Sequence, residues 1–204
     1  MTLTQVLPFL AASLAVELTP GPNMFYITLL SARHGRLAGA YAIAGVALGL
    51  ATIGVLSAFG FAVLVADNAI AYELIRWAGV AYLLWLAFES WRESRTEPTE
   101  TAVSRNGDYF ARGLITNLLN PKAFLFYLTV VPTFTLASEA DRPQALTLTA
   151  LYVLVATLIH AAIVLGAGSL TPLLRNPQWR QRLGLIFAAL LVLVAAWVAI
   201  STAR

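Results

Sequence analysis

Between Thr2 and Ala32 the chain holds a single charged residue, Glu17, and the run is cut by Thr19-Pro20-Gly21-Pro22-Asn23. Two prolines and a glycine cannot sustain a regular helix, because proline removes an amide donor and its ring clashes with the preceding turn. Apolar sequence continues on both sides, so the break falls inside a bilayer rather than in a surface loop. Backbone freed at that depth is tolerated only where it is buried in protein or lines a cavity. A carboxylate next to such a break points to function, since intramembrane ionisable groups are costly.

The break has an echo 101 residues later, where Asn120-Pro121-Lys122-Ala-Phe-Leu-Phe-Tyr-Leu-Thr-Val-Val131 aligns with the twelve residues from Thr19 to Leu30. Pro20 matches Pro121, Phe25 matches Phe126, Tyr26 matches Tyr127 and Thr28 matches Thr129. Paired interruptions at corresponding places in two halves are the best pointer in a sequence to a transporter's binding site.

With 59% hydrophobic and 11% charged residues the chain is far from a soluble domain, which averages about 25% charged. A membrane span takes about 20 apolar residues. Six runs qualify: Thr2 to Ala32, Leu37 to Ala66, Ile70 to Trp91, Tyr109 to about Ser138, Pro143 to Leu174, and Leu183 to Ala203. The first lacks the basic start of a secretory signal and runs well past signal length, so it is expected to be retained as a span. The absence of cysteine removes disulfides and thiolate metal sites. There is no Walker-type glycine-rich loop and no His-Glu-x-x-His, so neither a nucleotide, a metal nor any other cofactor is expected. The basic residues are scattered over short loops without a folded basic face, which excludes nucleic acid as a partner.

Arginine placement sets the sidedness. The loops after the first, third and fifth spans carry nine arginines (33, 36, 92, 95, 105, 112, 175, 180 and 182), against three (76, 142 and 204) on the other side. The positive-inside rule puts the nine in the cytoplasm and both termini outside. The expected domain is a single membrane unit over residues 1–204, with repeat one at 1–91, a cytoplasmic loop at 92–108 rich in Glu, Thr, Ser and Arg, and repeat two at 109–204. Three spans per half is an odd number, so the second repeat enters from the opposite face. The fold class is therefore all-α, with six transmembrane helices as two inverted repeats and the first and fourth helices broken at their prolines. Gly35-x-x-x-Gly39, Gly45-x-x-x-Gly49 and Gly166-Ala-Gly168 are places for close helix approach, and leave a homodimer through a glycine face open.

Few residues in this chain can carry chemistry at depth. Glu17 either stays protonated as a cap on the broken helix or serves as a proton or substrate-amine site. Lys122 either neutralises Glu17 or meets a substrate carboxylate. Asn23, Asn117 and Asn120 either satisfy loosened backbone or hydrogen-bond an amino acid. Thr19, Pro20, Gly21, Pro22 and Pro121 shape the breaks, after which helix N-termini offer amides and a positive dipole end to an anion. Tyr26 and Tyr127 recur in both halves, as packing or as substrate contacts. His160 is the one histidine within a span, either structural or part of a proton relay.

Taken together, Thr19-Pro-Gly-Pro-Asn23, Asn120-Pro-Lys122 with its aromatic run, His34-Gly-Arg with Ile43-Ala-Gly45, and Trp77-Ala-Gly-Val-Ala-Tyr-Leu-Leu-Trp-Leu86 resemble the LysE/RhtB superfamily of bacterial amino-acid exporters along nearly the full length. The resemblance implies six spans in the bacterial inner membrane and export of amino acids or related metabolites, driven by protons or another coupling ion rather than by an enzymatic reaction. On this view Glu17, the two breaks, Tyr26, Asn117 and Tyr127 surround a midplane substrate site, with Glu17 and His160 coupling protons. A channel, or a non-transporting membrane protein of the same fold, is the alternative.

Overall fold

The computed structural model describes residues 3–18, 21–61, 64, 67–95, 106–135, 142–170 and 176–201. Among the described residues, seven α-helices run in order: α1 (Leu3–Leu18), α2 (Pro22–Ala58), α3 (Ala69–Arg95), α4 (Asn106–Leu118), α5 (Pro121–Leu125), α6 (Arg142–Ala167) and α7 (Pro177–Ser201). After α5 the chain widens into a π-helical turn at Phe126–Val130 and then tightens into a 3-10 turn at Val131–Phe134. All described secondary structure is helical, as a bilayer requires of backbone that has no water to bond.

Among the described residues, four helices are long and apolar enough to cross a membrane: Pro22–Ala58, Ala69–Arg92, Arg142–Ala167 and Gln181–Ile200. A fifth arises if the pair Gly107–Leu118 and Lys122–Phe134, bent by 53° at the Asn120 break, counts as one span. The sequence pattern predicted six. The difference lies at the N-terminal end, where α1 is short and α2 is long.

Helix α2 is itself two helices run together. Gly35 interrupts it with φ 84° and ψ 177°, a backbone region that essentially only glycine occupies. Residues 22–34 (α2a) and 36–58 (α2b) are therefore separate rods. The second rod stops at Ala58, where Gly60 turns left-handed at φ 87° and its N–H is donated to the Ser57 carbonyl. That is eight residues short of the expected Ala66, yet its 23 residues still span about 34 Å, enough for the hydrocarbon core.

Asparagines start three of the helices in the way their short amide side chains favour. Asn68 Oδ1 accepts from the Ala71 N–H at 3.0 Å, Asn120 Oδ1 from the Lys122 N–H at 3.1 Å, and Asn176 Oδ1 from the Gln178 N–H at 2.9 Å. Gly21 precedes α2 with extended backbone and no side chain to cap it. Both helices that leave the breaks begin on a proline, Pro22 and Pro121. Helix start to helix start, Asn23 corresponds to Lys122, two residues away from the register that aligns Pro20 with Pro121.

The principal helix contacts join one sequence half to the other: α2 with α4, α2 with α6, α1 with α6, and α3 with α7. Among the described residues, neither half builds a core of its own. Where α2b meets α4 the backbones touch, because a Cβ on Gly45 would strike the Phe110 carbonyl and one on Gly113 would strike the Ala42 carbonyl. Gly49 lies against the Asn117 side chain. Of the other glycine pairs, Gly39 meets Val164 and Gly168 meets the Arg36 stem, whereas Gly35 and Gly166 face open space. Gly35 is there for its dihedral angle, not for packing.

The outer surface is apolar, with Ile70, Leu64, Leu158, Leu193 and Ile200 more than half exposed, as lipid-facing side chains are. Trp77, Trp85 and Trp179 are also exposed, each with an arginine (76, 112 and 182) over its ring, which suits the interface belts.

Helices α3 and α7 are tied to the other helices at the end near residues 34–36. Arg33 donates to the Ser90 carbonyl at 2.8 Å and to its Oγ at 3.1 Å, and Ser90 Oγ reaches the Gly184 carbonyl at 3.3 Å. Arg112 donates to Glu89 Oε2 at 2.6 Å with the Glu89 side chain only 13% exposed. Removing one partner of such a pair leaves the other charge stranded. Arg112→Ala is expected to lower thermal stability in detergent, by up to about 3 kcal/mol, and Arg112→Ala combined with Glu89→Gln to recover part of the loss. Equal melting of the single and double variants would show that the pair is not coupled.

The acidic Glu139 and Asp141, Arg105, Arg175 and Arg204, and the 96–105 part of the loop between the halves, lie outside the described residues.

Candidate functional site

The two breaks and α6 converge on one pocket, lined by Glu17, Gly21, Asn23, Met24, Leu50, Asn120, Lys122, Ala123, Tyr152 and His160. Glu17 enters from the last turn of α1, Asn23 and Met24 from the first turn of α2, Lys122 and Ala123 from α5, and Tyr152 and His160 from α6. Six residues singled out from sequence thus share the pocket: Glu17, Gly21, Asn23, Asn120, Lys122 and His160.

Glu17 is buried, and its two oxygens have different neighbours. Oε1 accepts a hydrogen bond from the Tyr152 hydroxyl at 2.6 Å. Oε2 faces His160 Nε2 at 3.5 Å, too far for a good hydrogen bond. Neither ring nitrogen of His160 makes a hydrogen bond among the described residues, although the side chain is 1% exposed. The Tyr152 ring is stacked on Phe126 at 3.6 Å between centroids and meets Tyr127 edge-on at 5.6 Å. The acid of the first break is thereby braced, through Tyr152, against the segment that follows the second.

Lys122 lies across the pocket mouth of Gly21. A Cβ on Gly21 would stand 3.2 Å from Lys122 Cδ and 3.7 Å from Nζ, so the missing side chain is what lets the lysine stem lie flat on the break. The lysine's own amide is taken by Asn120, so that amide is not presented to the pocket. On the other helix, Asn23 Nδ2 donates to Asn117 Oδ1 at 2.8 Å, and Asn23 Oδ1 has no hydrogen-bond partner among the described residues.

The remaining sequence candidates sit elsewhere. Asn117 is fully buried behind Asn23 and does not line the pocket. Tyr26 and Tyr127 are buried and also absent from the lining; Tyr127 packs where Gly54 leaves room for its ring. Pro22 and Pro121 head their helices. Thr19 and Pro20 lie outside the described residues.

Sequence reasoning passed over Met24, Leu50, Ala123 and Tyr152. The first three are apolar and carry no signal beyond their neighbours. Tyr152 had one: it lies eight residues before His160 in the same span, close to the same helix face.

Chemically, the pocket brings together a carboxylate, an imidazole and an ammonium with a short apolar lining. That suits a small solute bearing both charges. Among the described residues no cluster of metal-ligating side chains occurs.

Fold and pocket together define a multi-pass, all-helical membrane protein with a charged internal site. The LysE type translocator family matches residues 14–202, and the chain belongs to that family. It is 29% identical over 201 residues to a homoserine/homoserine lactone efflux protein of Salmonella typhi, covering 98% of both chains. It is 28% identical over 194 residues to a leucine efflux protein of Klebsiella pneumoniae, covering 92% of this chain and 89% of that one. An Escherichia coli membrane protein, YahN, is 38% identical over 128 residues, 61% of this chain and 56% of its own. No solved structure matches the chain. The family is one of membrane efflux transporters, not of enzymes.

Proposed function

We propose that the protein is a secondary active exporter of amino acids or closely related metabolites across the bacterial inner membrane, driven by the proton gradient and working by alternating access around the pocket described above. The observation that carries this is the meeting of Glu17 and Lys122, each beside a helix break, in one pocket. A carboxylate and an ammonium lining one site match the ammonium and carboxylate of an amino acid. Lys122 takes the carboxylate, helped by the uncapped first turn of α2. The unpartnered Asn23 Oδ1 is a further acceptor for a substrate hydrogen. The relatives' names make homoserine, its lactone and leucine the first solutes to try.

The same reading takes the chain as six spans in two inverted repeats. This reading counts α1 with α2a as one interrupted span, α2b as a second, and α4 with α5 and its following turns as another, beside α3, α6 and α7. The nine-to-three arginine bias orients both termini outward. The helix contacts favour α3 with α7 as the unit that moves, rather than a whole half, because α2 is locked to α4 and α6 while α3 and α7 pack mainly on each other.

The test is uptake of labelled amino acids into inside-out membrane vesicles, with and without an imposed pH gradient. Gradient-dependent accumulation, together with accelerated exchange in counterflow, is expected for a carrier. Movement without acceleration would indicate a channel, and no movement of any amino acid by folded protein would reject the export reading.

A further inference from the structure

The proton site of this exporter has a form that the export reading leaves open. Glu17 offers one oxygen, Oε2, that is not engaged by Tyr152. His160 faces that oxygen at 3.5 Å with both ring nitrogens unpartnered among the described residues and a side chain that is 99% buried, a costly arrangement unless something else bonds there in another state. Oε2 is thus left as an acceptor for one cationic group that donates hydrogens to it.

Resting on the export reading, we propose that Glu17 and His160 form a single cation seat, filled in turn by a proton on His160 and by the ammonium of the exported amino acid, and that Tyr152 is the positioning residue that makes the two exclusive.

The chemistry balances simply. With His160 protonated, the imidazolium pairs with Glu17 Oε2 and no second cation can approach, since like charges a few ångströms apart in a low-dielectric site repel strongly. When the substrate ammonium takes Oε2, the imidazolium Nε2–H bond breaks, its electron pair stays on nitrogen, and the proton leaves to water. Neutral His160 then accepts a hydrogen from the ammonium. One proton is thus exchanged for each substrate. An imidazole is suited to this because its ordinary pKa, about 6.5, lies in the range where it can be loaded on one side of the membrane and emptied on the other.

Tyr152 enforces the exclusivity. Its ring is immobilised by stacking on Phe126, and its hydroxyl pins Oε1, so the carboxylate cannot rotate to serve two cations at once. The other groups that bear on His160 are few. Among the described residues, the ionisable groups that share the pocket with His160 are Lys122 from α5, Glu17 from α1 and the Tyr152 hydroxyl from α6. Among the described residues, helix α2 contributes Asn23, Met24 and Leu50 to the pocket, none of them charged.

The test counts protons. Purified wild-type protein is titrated with each of the twenty protein amino acids and with its N-acetyl derivative, in buffers of different ionisation enthalpy, to give protons released per molecule bound. The amino acid that accumulates in vesicles is expected to release protons in a ratio that rises toward one as the pH is lowered, and its N-acetyl form, which lacks the ammonium, none. In His160→Gln or His160→Asn the ratio falls to near zero, whatever affinity remains. Tyr152→Phe shifts the pH midpoint of release, which a purely structural role would leave in place. A wild-type protein that accumulates an amino acid yet releases no proton on binding it leaves export standing and overturns the seat, as does a histidine variant with the wild-type ratio. A wild-type protein that accumulates nothing removes the export reading and this inference with it.

Discussion

Lys122→Ala is expected to reduce export about 100-fold or more while the protein still inserts in the membrane and folds, as expected when one member of a buried charge contact is removed. The reason is positional. Lys122 stands at the start of α5, its stem lying on the bare backbone of Gly21, so its ammonium is held beside the first break rather than ranging through the pocket. Lys122→Met preserves that stem and deletes only the charge, and it should lose as much transport as Lys122→Ala. Uptake into inside-out vesicles, normalised to protein detected in the membrane, makes the comparison. Unaltered export in the methionine variant would remove the lysine charge from the mechanism, and loss in the alanine variant alone would reassign the residue to packing.

Gly45→Ala carries the largest expected effect on stability. One methyl group there meets the Phe110 carbonyl at the closest approach of α2b and α4, and backbone on both sides leaves no side chain to swing aside. Overpacking of this kind costs about 1–3 kcal/mol and occasionally more. The strain should pass along the same face to Asn117, which lies against Gly49 and holds Asn23 at the pocket. Gly166→Ala is the control, because a Cβ there finds open space and an alanine in a helix gains up to about 1 kcal/mol over glycine. Thermal unfolding in detergent should separate the two, with Gly45→Ala lower and Gly166→Ala level or higher. Equal melting would mean that the two backbones do not touch as described.

Much of the site was legible before any coordinates. Charge is so expensive in a bilayer that Glu17, Lys122 and His160 announce themselves by being there at all, and prolines inside apolar runs mark where backbone must be buried in protein. The glycines were harder to read, because spacing alone does not say why a glycine is needed. Gly35 and Gly45 look alike in a small-residue motif. One supplies a positive φ that divides α2, and the other lets two helices touch.

What the sequence determined by itself was the solvent and the inventory: an all-helical chain for a bilayer, interrupted at two prolines, with a handful of polar groups too costly to be idle. Hydrophobicity and proline chemistry act locally, so they can be read locally. The tertiary structure alone decided which groups meet. Tyr152 reaches Glu17 across 135 residues of chain, every principal helix contact joins one half to the other, and Tyr26, Tyr127 and Asn117, plausible by their position next to the breaks, do not line the pocket. Those outcomes depend on how helices rotate and seat against one another, which is set by close packing summed over the whole molecule and is written in no single stretch of it.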